Sequence, residues 1–195
     1  SDGSDATLLA EGIVAYEAHW SPDGSRIVYV IDSDEPHGEI YVMNADGSNP
    51  VRLTDNTNFE WEIAWSPDSR HITYILDRDR NTDVYVMNAD GSKPVNLTNS
   101  TSWEGAPDWS PNGTQIVFAS DRDGYEALYV MNADGSNPVR LTDNTALESG
   151  IAWSPDGLRL AFISDRDGNP DIYVMNADGS SPVNLTNHPA RDAYP

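Results

Sequence analysis

Acidic residues recur at one position in this chain, five places before a repeated tryptophan: Glu60, Glu104 and Glu148, with Asp192 at the equivalent place if the register runs on. Carboxylates converging on one opening would draw in a cation or a basic ligand. Calcium takes six to eight oxygen ligands in flexible geometry, so Glu60, Glu104, Glu148 and Asp192 are the candidate metal ligands. The competing reading is structural: each acid caps local N–H groups or pairs with a neighbouring arginine, because converging like charges need compensation. The first unit carries Ala15 at this position with Glu17 nearby, so a ring of acids would be imperfect. No cofactor is required by this pattern, and calcium is the one it would accept.

The tryptophans fall into two groups. Trp20, Trp65, Trp109 and Trp153 share one register and are expected in the core, where a repeated aromatic packs between repeated layers. Trp61 and Trp103 lie off that register. Together with Tyr16, Phe59 and Tyr194 they would either form a platform for a sugar or peptide or pack at junctions between units. Trp61 and Trp103 therefore join the four acids as candidate ligand-binding residues.

Other chemistries find less support. His19, His37, His71 and His188 share neither metal-ligand spacing nor a repeat register. There is no Gly-x-Ser-x-Gly elbow, so no catalytic residue is assigned and the chain is read as a non-enzyme. The Asp77-Arg78-Asp79, Asp121-Arg122-Asp123-Gly124 and Asp165-Arg166-Asp167-Gly168 strings resemble calcium loops superficially. They lack the distal glutamate and flanking helices of an EF-hand, and Asp and Gly are ordinary turn formers. A hairpin turn, its arginine paired to an acid of the same or an adjacent unit, is the expectation.

A strong internal repeat must position these residues. Met-Asn-Ala-Asp-Gly-Ser begins at Met43, Met87, Met131 and Met175, and Leu-Thr recurs at Leu53, Leu97, Leu141 and Leu185, each at a spacing of 44. Within the third unit, a strand into Trp109 is followed by Gln115 to Ala119, Ala127 to Met131 and Pro138 to Thr142. These short β-branched and aromatic runs are separated by Asn-Gly and Asp-Gly turns. Four antiparallel strands per unit of this length, in tandem, describe an all-β propeller with four complete 44-residue blades.

The Trp-Ser-Pro-Asp-Gly, Ser-Asp-Arg-Asp-Gly, Asp-Ile-Tyr-Val-Met-Asn-Ala-Asp-Gly and Leu-Thr-Asn strings of the last unit, Trp153 to Thr186, resemble the TolB-type, WD-repeat-like propeller unit. The resemblance covers practically the whole chain. It implies a partner-binding module and a periplasmic or extracellular setting. The second domain that accompanies the TolB propeller has no counterpart here, which leaves the specific Tol-system role unsupported. The alternative it implies is the propeller module of a larger hydrolase or lyase.

The domain is read as residues 1–195, with blades at about 11–54, 55–98, 99–142 and 143–186. A spare outer strand is expected at 2–10 and a partial inner strand at 187–195. The overhangs admit a closed four-blade ring or a piece of a longer array, and favour a homodimer that completes a larger ring. Copies differ most just before each tryptophan, so the recognition surface is placed at that rim of the channel.

Bulk composition narrows the partners. The chain holds 32 acidic against 11 basic residues, a net charge of −21. Such a field repels phosphate backbones and anionic membranes, so the expected ligand is a protein, peptide or glycan and not nucleic acid. No stretch approaches the roughly 20 apolar residues of a membrane span, and no signal peptide is read at the start. There is no cysteine, hence no disulfide framework.

Overall fold

The computed structural model describes residues 14–32, 38–142, 146–187 and 192, and all regular structure in them is β. Sixteen strands form four antiparallel sheets. Blade 1 contains β1 (Val14–Trp20), β2 (Arg26–Asp32), β3 (Gly38–Asn44) and β4 (Val51–Arg52). Blade 2 contains β5 (Phe59–Trp65), β6 (His71–Arg78), β7 (Asn81–Asn88) and β8 (Val95–Asn96). Blade 3 contains β9 (Glu104–Trp109), β10 (Gln115–Ser120), β11 (Ala127–Asn132) and β12 (Val139–Arg140). Blade 4 contains β13 (Glu148–Trp153), β14 (Arg159–Ser164), β15 (Asp171–Asn176) and β16 (Val183–Asn184). In every sheet the spatial order is the sequence order. The spare strand expected at 2–10 lies outside the described residues, as does most of 187–195.

Side-chain chemistry builds the turns. After each register tryptophan a serine and an Asp or Asn close the first hairpin: in blade 1, Ser21 Oγ donates to Asp23 Oδ1 at 2.6 Å while the Ser25 amide donates to the same oxygen at 2.9 Å. These bonds pull Asp23 down to a pKa of about 2. In the last hairpin of the blade, between its third and fourth strands, the glycine serves two purposes. Gly135 sits at φ +82°, and a Cβ there would lie 2.7 Å from the Leu97 carbonyl oxygen of blade 2. Gly91 against Leu53 and Gly179 against Leu141 repeat this approach. The Asn-Ala-Asp-Gly turn of one blade thereby docks on the Leu-Thr strand of the preceding one, which accounts for the coupled spacing of the two motifs.

The core lies between blades. Val28, Val30, Ile40 and Val42 of blade 1 pack on Trp65, Ile72, Tyr74 and Met87 of blade 2. Ile75, Val84 and Leu97 pack on Trp109, Ile116, Phe118 and Met131 of blade 3. Val117, Ala119 and Leu128 then pack on Leu160, Phe162 and Met175 of blade 4. Each sheet contributes one apolar face in each direction, as stacked sheets must.

The four blades form an open arc. Inner strand β1 packs on β5, β5 on β9 and β9 on β13, with no comparable packing of β13 on β1. Exposure marks both ends. Trp20 is 58% exposed against 7% for Trp65 and Trp109, and Leu185 is 59% exposed against 9% for Leu97. On the outward face of blade 4, Ala161, Ile163, Ile172 and Val174 are all partly exposed, whereas blade 3 buries Val117, Ala119, Leu128 and Val130 at the same register.

Candidate functional site

The inner strands enclose a cavity of about 860 Å³ on the concave side of the arc, lined by residues of all four blades. Its walls derive from one backbone device. Each inner strand carries a bulge shortly before its tryptophan: the register shifts between Ala15 and Glu17, Trp61 and Ala64, Gly105 and Asp108, and Ser149 and Ala152. The bulges of blades 2, 3 and 4 place Glu62, Ala106 and Gly150 at φ +51°, +50° and +59°. A bulge frees backbone groups from the ladder and turns them aside.

Carboxylates of the preceding blade meet the freed amides. Glu17 accepts from the N–H groups of Glu62 at 2.8 Å and Ile63 at 2.9 Å. Glu62 in turn accepts from the Ala106 N–H at 2.6 Å. Asp108 accepts from the Trp109 N–H at 2.9 Å and the Trp153 N–H at 3.3 Å. Burial pushes Glu62 above the usual carboxylate range, against the Ala106 bond and with added repulsion from Glu17. Burial raises Asp108 as well, opposed by its two amide bonds and by His19. Beside the channel, Glu126 rises to about 7, through burial first and then repulsion from Glu148, Asp121, Asp165 and Glu62. The site is thus a polar, acid-rich slot in which carboxylates of one blade accept from backbone amides of the next.

The acids singled out from the sequence sit elsewhere. Glu60, Glu104 and Glu148 are completely buried and are not among the residues lining the cavity. Arg122 Nη2 donates to both Glu104 oxygens at 2.9 and 3.0 Å, and Arg166 Nη2 donates to Glu148 at 2.7 Å. Glu60 accepts from Thr54 Oγ1 and from Asn56 Nδ2. The expected convergence of these three on the channel mouth is therefore corrected. Each is folded into a blade junction, where its oxygens are engaged locally, and among the described residues no group of three or more His, Asp or Glu could hold a metal ion. Asp192 does line the channel, and its Oδ2 is buried with no hydrogen-bond partner among the described residues.

The hairpin arginines behave as expected in two blades. In blades 3 and 4 a serine, Ser120 or Ser164, accepts from the arginine Nε and directs it inward. Blade 2 has Leu76 at that register, its hairpin closes on Asp79 and Arg80 at positive φ, and Arg78 is left exposed. Arg78 is thus not to Glu60 what Arg122 is to Glu104, and burial, against the bonds from Thr54 and Asn56 and the attraction of Arg52, lifts Glu60 to about 7.

The aromatic platform is dispersed. Trp61 is partly buried against the cluster that holds Ile75, Val84 and Trp109. Trp103 is 40% exposed and lies across Gly105, where a Cβ would come within 2.5 Å of its ring. Neither tryptophan lines the cavity, nor does Phe59. Tyr194 and the Tyr16 side chain lie outside the described residues.

One set of cavity-lining acids was not singled out by sequence reasoning. Glu17, Glu62 and Asp108 were hidden because the bulge that defines their role has no fixed residue type. A second pattern was legible but unread, in which the acid opening each third strand is matched to the length of its outer-strand partner. Glu39 pairs with Arg52, while the shorter Asp83 and Asp171 each accept from an asparagine, Asn96 and Asn184, at 2.8 Å. Where blade 3 has Ala127, Arg140 turns to Asp123 at 3.5 Å.

With this geometry in place, the family assignment follows from sequence comparison. The TolB beta propeller domain profile (PD40) matches residues 10–104 and 95–195, together nearly the whole chain. The chain belongs to the TolB beta-propeller family. A putative TolB from Agrobacterium tumefaciens is similar in structure, with a TM-score of 0.79 at 26% identity over 88% of this chain and 65% of that one. TolB from Acinetobacter baumannii gives a TM-score of 0.75 at 25% identity over 84% of this chain and 42% of that one. A puromycin-hydrolyzing peptidase from Mycobacterium tuberculosis shares the fold at 22% identity and a TM-score of 0.74, over 90% of this chain and 31% of that one. The TolB-family chain thus spans less than two thirds of each of these structures. None of the curated proteins matches it by sequence.

Proposed function

We propose that this TolB-family propeller is a non-catalytic binding module that takes a basic peptide or protein segment into its channel. The observation that carries this reading is the cavity of about 860 Å³, to which all four blades contribute and which Glu17, Glu62, Asp108, Asp165 and Asp192 make acidic. The blades repeat one another in the core but differ at this wall, the distribution expected of a recognition surface on a rigid scaffold. With a net charge of −21, the chain draws cationic partners and repels anionic ones. The family resemblance supports a periplasmic or extracellular setting. The alternative, service as the propeller of a larger hydrolase, draws only on the shared fold of the peptidase neighbour.

The open arc supports a further element, association with a second copy of the chain. Every junction within the molecule seats the outward face of one blade on the tryptophan-bearing face of the next. The outward face of blade 4 and the Trp20 end of blade 1 are two halves of that same junction. A head-to-tail pair closed by a two-fold axis along the channel would bury both.

The channel reading is tested by calorimetric titration with tetralysine amide. Binding that weakens with salt and falls at least tenfold in Asp165→Asn/Asp108→Asn supports it. Equal binding of tetralysine and an uncharged peptide overturns it.

A further inference from the structure

The lacing of the bulge amides follows a series that stops before the last blade, where Asp108 reaches only the Trp153 N–H beyond the bulge. Glu17 fills the bulge amides of Glu62 and Ile63, and Glu62 fills that of Ala106. The next donor of a carboxylate in the series would be residue 106, and it is alanine. Its φ of +50° matches the +51° of Glu62, so backbone and register persist while the side chain does not. Among the described residues, no side chain accepts from the N–H of Gly150 or Ile151, the corresponding pair in β13, and both residues line the cavity. The pair is also fuller than that of β9, where Pro107 contributes no N–H.

We propose that the Gly150–Ile151 amide pair is a carboxylate-binding site at the junction of blades 3 and 4, which anchors a peptide through a carboxylate carried beside a basic residue. This rests on the channel reading and names the ligand's anchoring group. Two adjacent amides presented to an anion make charge-assisted hydrogen bonds, the geometry that Glu17 already demonstrates two junctions earlier. The neighbouring acids Asp165 and Asp192 oppose a bare anion, so a basic group next to the carboxylate offsets them.

The test follows the backbone amide resonances of the nitrogen-15-labelled chain. Its probes are Lys-Gly-Lys with a free carboxylate, the same peptide as its carboxamide, Lys-Glu-Lys carboxamide, and potassium acetate. The free acid is expected to shift Gly150 and Ile151 and to bind about tenfold more tightly than its carboxamide. A matching gain for Lys-Glu-Lys carboxamide assigns the site to acidic side chains, and its absence assigns it to chain termini. Ala106→Glu supplies the missing internal carboxylate, so it should abolish the preference for the free acid and raise Tm. Ile151→Pro, which copies Pro107, should reduce that preference severalfold. The proposal falls if neither acetate nor the free acid moves the two amides, or if Ala106→Glu keeps the full preference. Binding of both Lys-Gly-Lys forms with Gly150 and Ile151 unmoved overturns the carboxylate site and leaves the channel reading standing. Acetate shifts with no peptide binding overturn the channel reading and leave the site.

Discussion

Arg122, on the hairpin between β10 and β11, holds both carboxylate oxygens of the completely buried Glu104 while its guanidinium lies 5.1 Å from the Phe118 ring centre and 4.9 Å from that of Tyr129. Removing one partner of such a pair strands a buried charge, which costs more than the pair itself contributes. Arg122→Ala should therefore lower unfolding free energy by about 3 kcal/mol. Arg122→Ala/Glu104→Leu should recover most of the loss. Urea denaturation of the two variants measures both, and equal losses would mean that the ring stacking, not the charge, matters.

The pH dependence of stability should be inverted relative to a protein held by exposed ion pairs. Glu60 and Glu126 both rise to about 7 from an unfolded value near 4.5. A carboxyl raised in the folded state favours folding while protonated, so its contribution is full below the unfolded pKa and is lost as pH rises through the folded one. The urea midpoint should thus be higher at pH 5 than at pH 8. Glu60→Gln should reduce that difference by on the order of 2 kcal/mol, since one pKa unit corresponds to about 1.4 kcal/mol. Below pH 4 the sign reverses, because turn carboxylates such as Asp23, lowered to about 2, lose their bonds on protonation.

Two glycines separate backbone strain from blade docking. Gly124 sits at φ +94° with open space where a Cβ would lie, whereas a Cβ on Gly135, at φ +82°, would lie 2.7 Å from the Leu97 oxygen. Gly124→Ala should cost about 1 kcal/mol, the left-handed penalty alone. Gly135→Ala should cost distinctly more, with Tm as the readout. Equal losses would show that the blades yield at the docking point.

Self-association should depend on the open face of blade 4. Ile172→Asp/Val174→Asp places charge on apolar positions that are partly exposed in the single chain. Light scattering behind gel filtration should report twice the chain mass for the parent and a single chain mass for the variant. A monomeric parent at all concentrations would remove the second copy from the proposal.

Calcium at millimolar concentration should leave Tm unchanged. The oxygens of Glu104 and Glu148 already accept from arginines, and Glu60 accepts from Thr54 and Asn56. A calcium-dependent rise would return the acids to the metal-binding role that their spacing first implied.

Local chemistry determined what the sequence by itself could say. Alternating apolar strands, Asx turns and positive-φ glycines act within a few residues, and their 44-residue repetition spells out sheets, hairpins and blade order directly. The pairing of Arg122 with Glu104 was legible for the same reason, since both ends lie in one blade. Tertiary structure alone decided which acids face the channel. Glu60, Glu104 and Glu148 share a register with the inner wall, yet burial between blades turns them inward. Glu17 and Glu62 reach the wall through bulges and act on amides one blade away. Those contacts join residues 44 or 45 positions apart, across a stacking geometry that no local pattern encodes.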